Sequence, residues 1–238
     1  MLTGCEVIPE ADRLIPVETE STGTRAHVLI EYTGFRCVNC PPASETAQSL
    51  HALYNDHLIV VALHPASNPY TQGKYDYTCP AADSIYQFMG GTSSTPFPTG
   101  NIDLSQTDGR WFFDPAEWPE QVSRAMEDTI APSLTISTQT DTLSREVSVQ
   151  ADYIPAPEYR ITYWIVEDSI QGAQAMPDGS VNLEYYHRHV LRFSSDEPVI
   201  PIPTECDITR CAIIALLIDN NDNHILNAYE KKLVNTGN

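Results

Sequence analysis

Residues 26–42 read AHVLIEYTGFRCVNCPP, from Ala26 to Pro42, and the rest of the fold is read outward from them. Residues 26–33 are apolar and β-branched, as a buried strand requires. Gly34-Phe35-Arg36 turns the chain into Cys37-Val38-Asn39-Cys40. Pro41 and Pro42 suit a first helical turn, where the missing N–H has no partner to lose. Ala47, Leu50, Ala52, Leu53 and Tyr54 then give that helix an apolar face. Residues 58–63 form a second strand, so the order is strand, CxxC, helix, strand. That is a βαβ unit, whose two strands run parallel.

Beyond it, residues 68–77 are a tyrosine-rich polar excursion and residues 79–89 a helix ended by Gly90-Gly91. A hairpin joins residues 99–104 to 110–113 across Gln106-Thr107-Asp108-Gly109. Residues 115–130 read as an amphipathic helix with Trp118, Val122, Ala125, Met126 and Ile130 inward. This order, with CxxC opening the first helix, resembles the thioredoxin fold. The resemblance implies a cis-proline packed against the active cysteines, and Pro98 in Phe97-Pro98-Thr99 stands at that place. It also implies a buried carboxylate ahead of the first active Cys, and Glu31 occupies that position.

The chemistry needs these parts for physical reasons. A cysteine at a helix start faces unpaired N–H groups and the positive end of the dipole, both of which favour thiolate. Arg36 pushes the same way. Cys37 is therefore the expected nucleophile on a substrate disulfide, and Cys40 the resolving thiol. Glu31, once desolvated, has a raised pKa and accepts the Cys40 proton. Pro98 offers a carbonyl to an extended substrate. Arg36 replaces the Trp usual in the fold family, and Val38-Asn39 replaces Gly-Pro, which leaves the redox potential open. A metal site at Cys37 and Cys40 is the poorer reading, because zinc wants four ligands and no second CxxC accompanies them. The plainer alternative is a disulfide that staples the loop. No cofactor is expected.

The formal charge of −19 over 238 residues repels phosphate backbones, so nucleic-acid binding is excluded. The longest apolar run, residues 212–218, has the length of a strand and not of a membrane span. Leu2-Thr3-Gly4-Cys5 looks like the end of a bacterial lipoprotein signal, with Cys5 as the lipidated residue and Met1 to Gly4 as the stub of a precursor. A polar tether follows, and the membrane is met through that anchor alone. With Cys5 lipidated, the simplest pairing joins Cys37 to Cys40 and Cys206 to Cys211, the second a structural staple in an oxidising compartment. Cys79 is left as a free buried thiol, with a place in the redox relay as its alternative.

From residue 132 short strands alternate with turn clusters, as at Val147, Val149 and Ala151 or Ile161, Tyr163 and Ile165. About seven strands in about a hundred residues indicate an immunoglobulin-like sandwich. The division is thus a signal remnant and tether at 1–24, a thioredoxin-like α/β domain at 25–131 and an all-β sandwich at 132–238. His187 and His189 fall on one face of a strand at residues 185–193, read as a polar outer face and not a metal site. Asp219 and Asp222 lack calcium-loop spacing and read as part of a hairpin turn.

Cys5, the segment Thr33-Gly34-Phe35-Arg36-Cys37-Val38-Asn39-Cys40-Pro41 and the late Tyr186-His187-Arg188-His189-Val190-Leu191-Arg192 together resemble one family. It is the 28-kilodalton-outer-membrane-protein-related lipoproteins of Bacteroides-type bacteria. The resemblance implies an outer-membrane lipoprotein, periplasmic or surface-exposed. Two functions are expected from this sequence. One is a thiol–disulfide oxidoreductase of the cell envelope acting on protein thiols or disulfides. The other is a surface binding or adhesion module, with a protein partner, that keeps the fold as an inactive scaffold. The first requires an accessible Cys37; a Cys37 sealed under residues 68–77 favours the second.

Overall fold

The structure, a computed structural model, describes residues 22–234. The lipidation expected at Cys5 lies outside the described residues. Strand β1 (Thr22–Thr24) is followed by β2 (His27–Tyr32), α1 (Cys40–Tyr54) and β3 (Leu58–Leu63). Every residue of β2 and β3 is buried, so both faces of these strands must be covered. They pair in parallel from His27 beside Leu58 to Tyr32 beside Leu63, as a βαβ crossover dictates. Helix α2 (Pro80–Phe88) comes next, then a cis Phe97-Pro98 bond and β4 (Thr99–Ile102), antiparallel to β2. Helix α3 (Trp118–Ala125) completes this part.

The remaining described chain is β-rich: β5 (Ile130–Pro132), β6 (Thr135–Asp141), β7 (Glu146–Asp152), β8 (Tyr159–Glu167), β9 (Ile170–Ala175) and β10 (Val181–His187). It ends with β11 (Val190–Ser195), β12 (Val199–Pro201), β13 (Cys211–Asp219) and β14 (Ile225–Lys232). Seven of the strands form one sheet in the order β14-β13-β8-β11-β3-β2-β4.

Alternation along the strands sorts the core. Val28, Ile30, Tyr32, Val61 and Leu63 share a cluster with Ala82, Tyr86 and Met89 at α2. Leu29, Leu58 and Val60 meet Ala47 and Leu50 of α1 and Trp118 and Val122 of α3 on the other face. Farther along that second face, Tyr163, Ile165, Ile213, Ala215 and Leu217 pack against the small sheet β12-β7-β6. That packing of sheet on sheet is the sandwich-like part of the molecule.

Several expectations change. The strands after residue 132 do not close on themselves as a separate sandwich. Instead β11 pairs in parallel with β3 through Val190 and Ala62, with Ala62 N donating to His189 O at 2.9 Å. The physical reason is that β3 is apolar throughout, and an uncovered edge on such a strand invites pairing. Residues 22–24, read as tether, pair with β5. Helix α3 stops at Ala125, and Ile130 turns outward in β5 at 69% exposure. The second arm of the 99–113 hairpin reduces to the bridges Gly100–Phe113 and Thr107–Arg110. The strand expected at 185–193 breaks at Arg188-His189, where His189 takes a positive φ of 44°. His187 and His189 therefore lie in different settings and share no face. Among the described residues, no helix is long and apolar enough to cross a membrane.

Candidate functional site

Cys37 and Cys40 are joined in a disulfide with their Cα atoms 5.4 Å apart. Asn39 caps α1, so Cys40 is its first residue and Cys37 sits in the preceding turn, its N–H donating to Gly34 O at 2.9 Å. The disulfide returns the Cys37 sulfur to the first helical turn. The expectation of an accessible Cys37 is overturned, since Cys37 and Cys40 are each only 2% exposed.

Two segments are tied to the CxxC turn. Tyr70 O accepts from Arg36 N at 3.0 Å, and Gln72 O accepts from Arg36 Nη1 at 3.3 Å, which ties residues 68–77 onto the CxxC turn. The Arg36 guanidinium thus serves the loop. Tyr70 stacks on Phe97 with ring centroids 6.2 Å apart. Gly34 is needed for this contact, because a Cβ there would lie 2.6 Å from Tyr70 O. From the far end of the chain, Ala175 N donates to Phe35 O at 2.7 Å and Gln174 Nε2 to Cys37 O at 2.9 Å. The loop itself is anchored, with Asn68 Nδ2 donating to Thr95 O at 3.1 Å and Thr71 Oγ1 to Pro65 O at 2.7 Å.

Glu31 lies on β2, buried beneath α1, where Ser44 Oγ is 2.9 Å from both carboxylate oxygens. Burial pushes its pKa up to about 7, and the Ser44 hydrogen bond only partly opposes that. Ser44 stands one helical turn beyond Cys40, on the same face of α1. Tyr185 approaches the same pair, and burial followed by the Glu31 charge raises its phenol. A cavity of about 10 Å³ lies among Cys40, Ser44, His64, Gln174, Tyr185 and His187, room for about one water. His64 is 1% exposed with neither ring nitrogen hydrogen-bonded, and burial, then His187 and Arg192, hold it well below the usual imidazole pKa. His187 is pushed down to about 4 by burial. Pro98 is half-buried and borders an open groove of about 790 Å³ that includes Asn39, Thr46, Phe97 and Arg110.

The other expected sites separate from this one. Cys79 is a free buried thiol capping α2, and burial raises its pKa. The staple expected between Cys206 and Cys211 is a correction: both are free, buried thiols. Their sulfurs have other partners, Arg192 Nε for Cys206 at 3.4 Å and Asp207 O for Cys211 at 3.3 Å. His189 lies between two carboxylates, Nε2 3.0 Å from Glu230 and Nδ1 3.4 Å from Asp168. Asp219, Asp222 and His224 bring potential metal-ligand atoms within 4.8 Å of one another in the β13–β14 turn. Those groups already serve the turn, as Asp219 accepts from Asn221 N and Asp222 from His224 N.

Sequence reasoning missed Ser44, His64, Tyr185 and strand β9 with Gln174. The Ile170–Ala175 segment carries a glycine and two glutamines and has little apolar alternation to announce it.

No protein-family model matches the chain, and no curated protein matches it. Two solved structures share the fold. HBP35 of Porphyromonas gingivalis superposes with a TM-score of 0.64 at 15% identity, covering 88% of this chain and 76% of its own. Protein AGR_C_4864 from Agrobacterium tumefaciens gives a TM-score of 0.52 at 12% identity over 89% of this chain and 96% of its own.

Proposed function

We propose that this chain is a cell-envelope lipoprotein, anchored through Cys5, whose Cys37–Cys40 disulfide is a thioredoxin-type thiol–disulfide exchange centre closed by residues 68–77. The observation that carries the reading is Glu31. A staple needs no acid–base group, yet a carboxyl is kept buried against Ser44, one helical turn from Cys40, with its pKa pushed up to about 7, where it can take and return the Cys40 proton. The order of β2, α1, β3, α2, Pro98, β4 and α3 supports a thioredoxin-like part, and the sheet-on-sheet packing after residue 132 supports a sandwich-like part that continues its sheet. The likeness to a Porphyromonas gingivalis protein is compatible with the Bacteroides-type lipoprotein family and an envelope location.

In the exchange, an incoming thiolate attacks the Cys37 sulfur and expels Cys40 as a thiolate, which Glu31 protonates. The reverse direction regenerates the disulfide. The groove beside Pro98 offers an extended chain a place to lie. A protein thiol reaches Cys37 only when the Tyr70 and Gln174 contacts yield. The test is reduction of a disulfide-bonded protein by the pre-reduced chain. Turnover lost in Cys37→Ser is expected; equal rates in the two proteins overturn the reading.

The low exposure of Cys37 favours a second function, a surface binding module with an inert disulfide. It is distinguished by a Cys37–Cys40 disulfide that resists dithiothreitol until the protein unfolds.

A further inference from the structure

We propose that Cys206 and Cys211 are a second, independent redox centre, a buried dithiol clasped by Arg192 that hydroperoxides convert to a disulfide. It uses different cysteines from the exchange centre and packs in a different core cluster, between the large and small sheets.

The hydrogen-bond pattern assigns the two sulfurs different roles. Cys206 Sγ accepts from the Arg192 guanidinium, as a thiolate does. Cys211 Sγ lies 3.3 Å from the Asp207 carbonyl, to which only a protonated thiol can donate. The neighbouring Cys211 thiol, and behind it the Arg192 guanidinium, lower the Cys206 pKa against the effect of burial. The same interaction and burial raise Cys211.

Arg192 is itself 8% exposed, and its Nε also faces Glu167 Oε2 at 3.5 Å. Glu167 in turn accepts from Asp207 N at 2.8 Å, which fixes the turn between the cysteines. Arg145 Nη2 holds the Cys206 carbonyl at 2.8 Å. Arg192 Nη1 has no partner although it is buried, and such a donor can meet an oxygen of a small oxidant. Cys206 and Cys211 are 4% and 2% exposed, which keeps a protein disulfide from either sulfur, so the oxidant of this proposal is a small hydroperoxide.

The step balances. The Cys206 thiolate attacks the O–O bond of ROOH, forming an S–O bond and releasing RO⁻, which takes a proton. Cys206 is then a sulfenic acid. Cys211–SH attacks that sulfur, the S–S bond forms, and the hydroxyl leaves with the Cys211 proton as water. Two thiols are oxidised by two electrons, and the hydroperoxide is reduced to ROH and water.

The test treats the dithiothreitol-reduced, desalted chain with hydrogen peroxide and reads each cysteine by alkylation and tryptic mass spectrometry. Cleavage at Arg192, Arg210 and Lys231 puts the cysteines on separate peptides, 193–210 and 211–231. The expected result is a linked pair of these peptides, formed at least tenfold faster than Cys79 is lost. Arg192→Met should slow the linkage at least tenfold. Should that variant fail to fold, Cys211→Ser decides, since Cys206 should then accumulate as a sulfenic acid trapped by dimedone. Linkage no faster than in the urea-unfolded chain, or no dimedone adduct on Cys206 in Cys211→Ser, overturns the proposal.

Discussion

Gln174 donates from Nε2 to the carbonyl oxygen of Cys37 at 2.9 Å, across 137 residues of chain. The same nitrogen lies 3.1 Å from Ala175 O, and Ala175 N holds Phe35 O at 2.7 Å. The β9–β10 hairpin therefore clamps the CxxC turn. Gln174→Ala leaves Cys37 O with only the 3.3 Å bond from Cys40 N and should cost about 1 kcal/mol of stability. It should also speed dithiothreitol reduction of Cys37–Cys40 severalfold. Urea unfolding and alkylation-trapped reduction kinetics check both, and a variant with wild-type stability contradicts the clamp.

Glu31 makes stability depend on pH with a definite sign. It ionises near 4.5 in the unfolded chain and near 7 in the folded one, so between these values the folded state binds more proton. Stability therefore falls as pH rises from 4.5 through 7, by about 3 kcal/mol in all. Glu31→Gln keeps a partner for Ser44 and removes this dependence. Unfolding at pH 4.5 and pH 8 should show the variant gaining on wild type by that amount, and a constant difference refutes the assignment. Exchange through Cys37 should also slow at least tenfold in the variant, for want of the proton acceptor.

His189 has the same sign at higher pH. Burial lowers its pKa, but the hydrogen bonds to Asp168 and Glu230 carry it up to about 9. Its stabilisation is complete below about 6.5 and is lost as pH rises through 9. His189→Asn tolerates the positive φ and removes the charge. Its cost should be larger at pH 6 than at pH 10, by up to about 3 kcal/mol. Equal costs at the two pH values would show that the carboxylates do not hold a cation there.

Much of the first half was legible because its signals are local. The apolar runs of β2 and β3, Pro41 after the CxxC and the turn glycines Gly90-Gly91 act within a few residues of themselves. Glu31 and Pro98 were found by resemblance, and the structure sets Glu31 beside Ser44. What stayed hidden was long-range. Nothing near Val190 announces that it pairs with Ala62, and nothing in Gln171-Gly172-Ala173-Gln174 announces a clamp on Cys37. The cover over Cys37 depends on Gly34 meeting Tyr70, a contact that neither segment reveals alone. Cys206 and Cys211 suggested a staple by spacing, whereas Arg192 and Asp207 decide what their sulfurs do.

The central claim is that the Cys37 sulfur exchanges once the 68–77 loop lifts. The most direct measurement is the second-order rate of dithiothreitol reduction of Cys37–Cys40 in wild type, Gly34→Ala and Tyr70→Ala, with folding verified by near-ultraviolet circular dichroism. A Cβ at Gly34 would sit 2.6 Å from Tyr70 O and must displace the loop. The account predicts reduction at least tenfold faster in both folded variants than in wild type. Rates unchanged in both would contradict it and leave the disulfide as a staple.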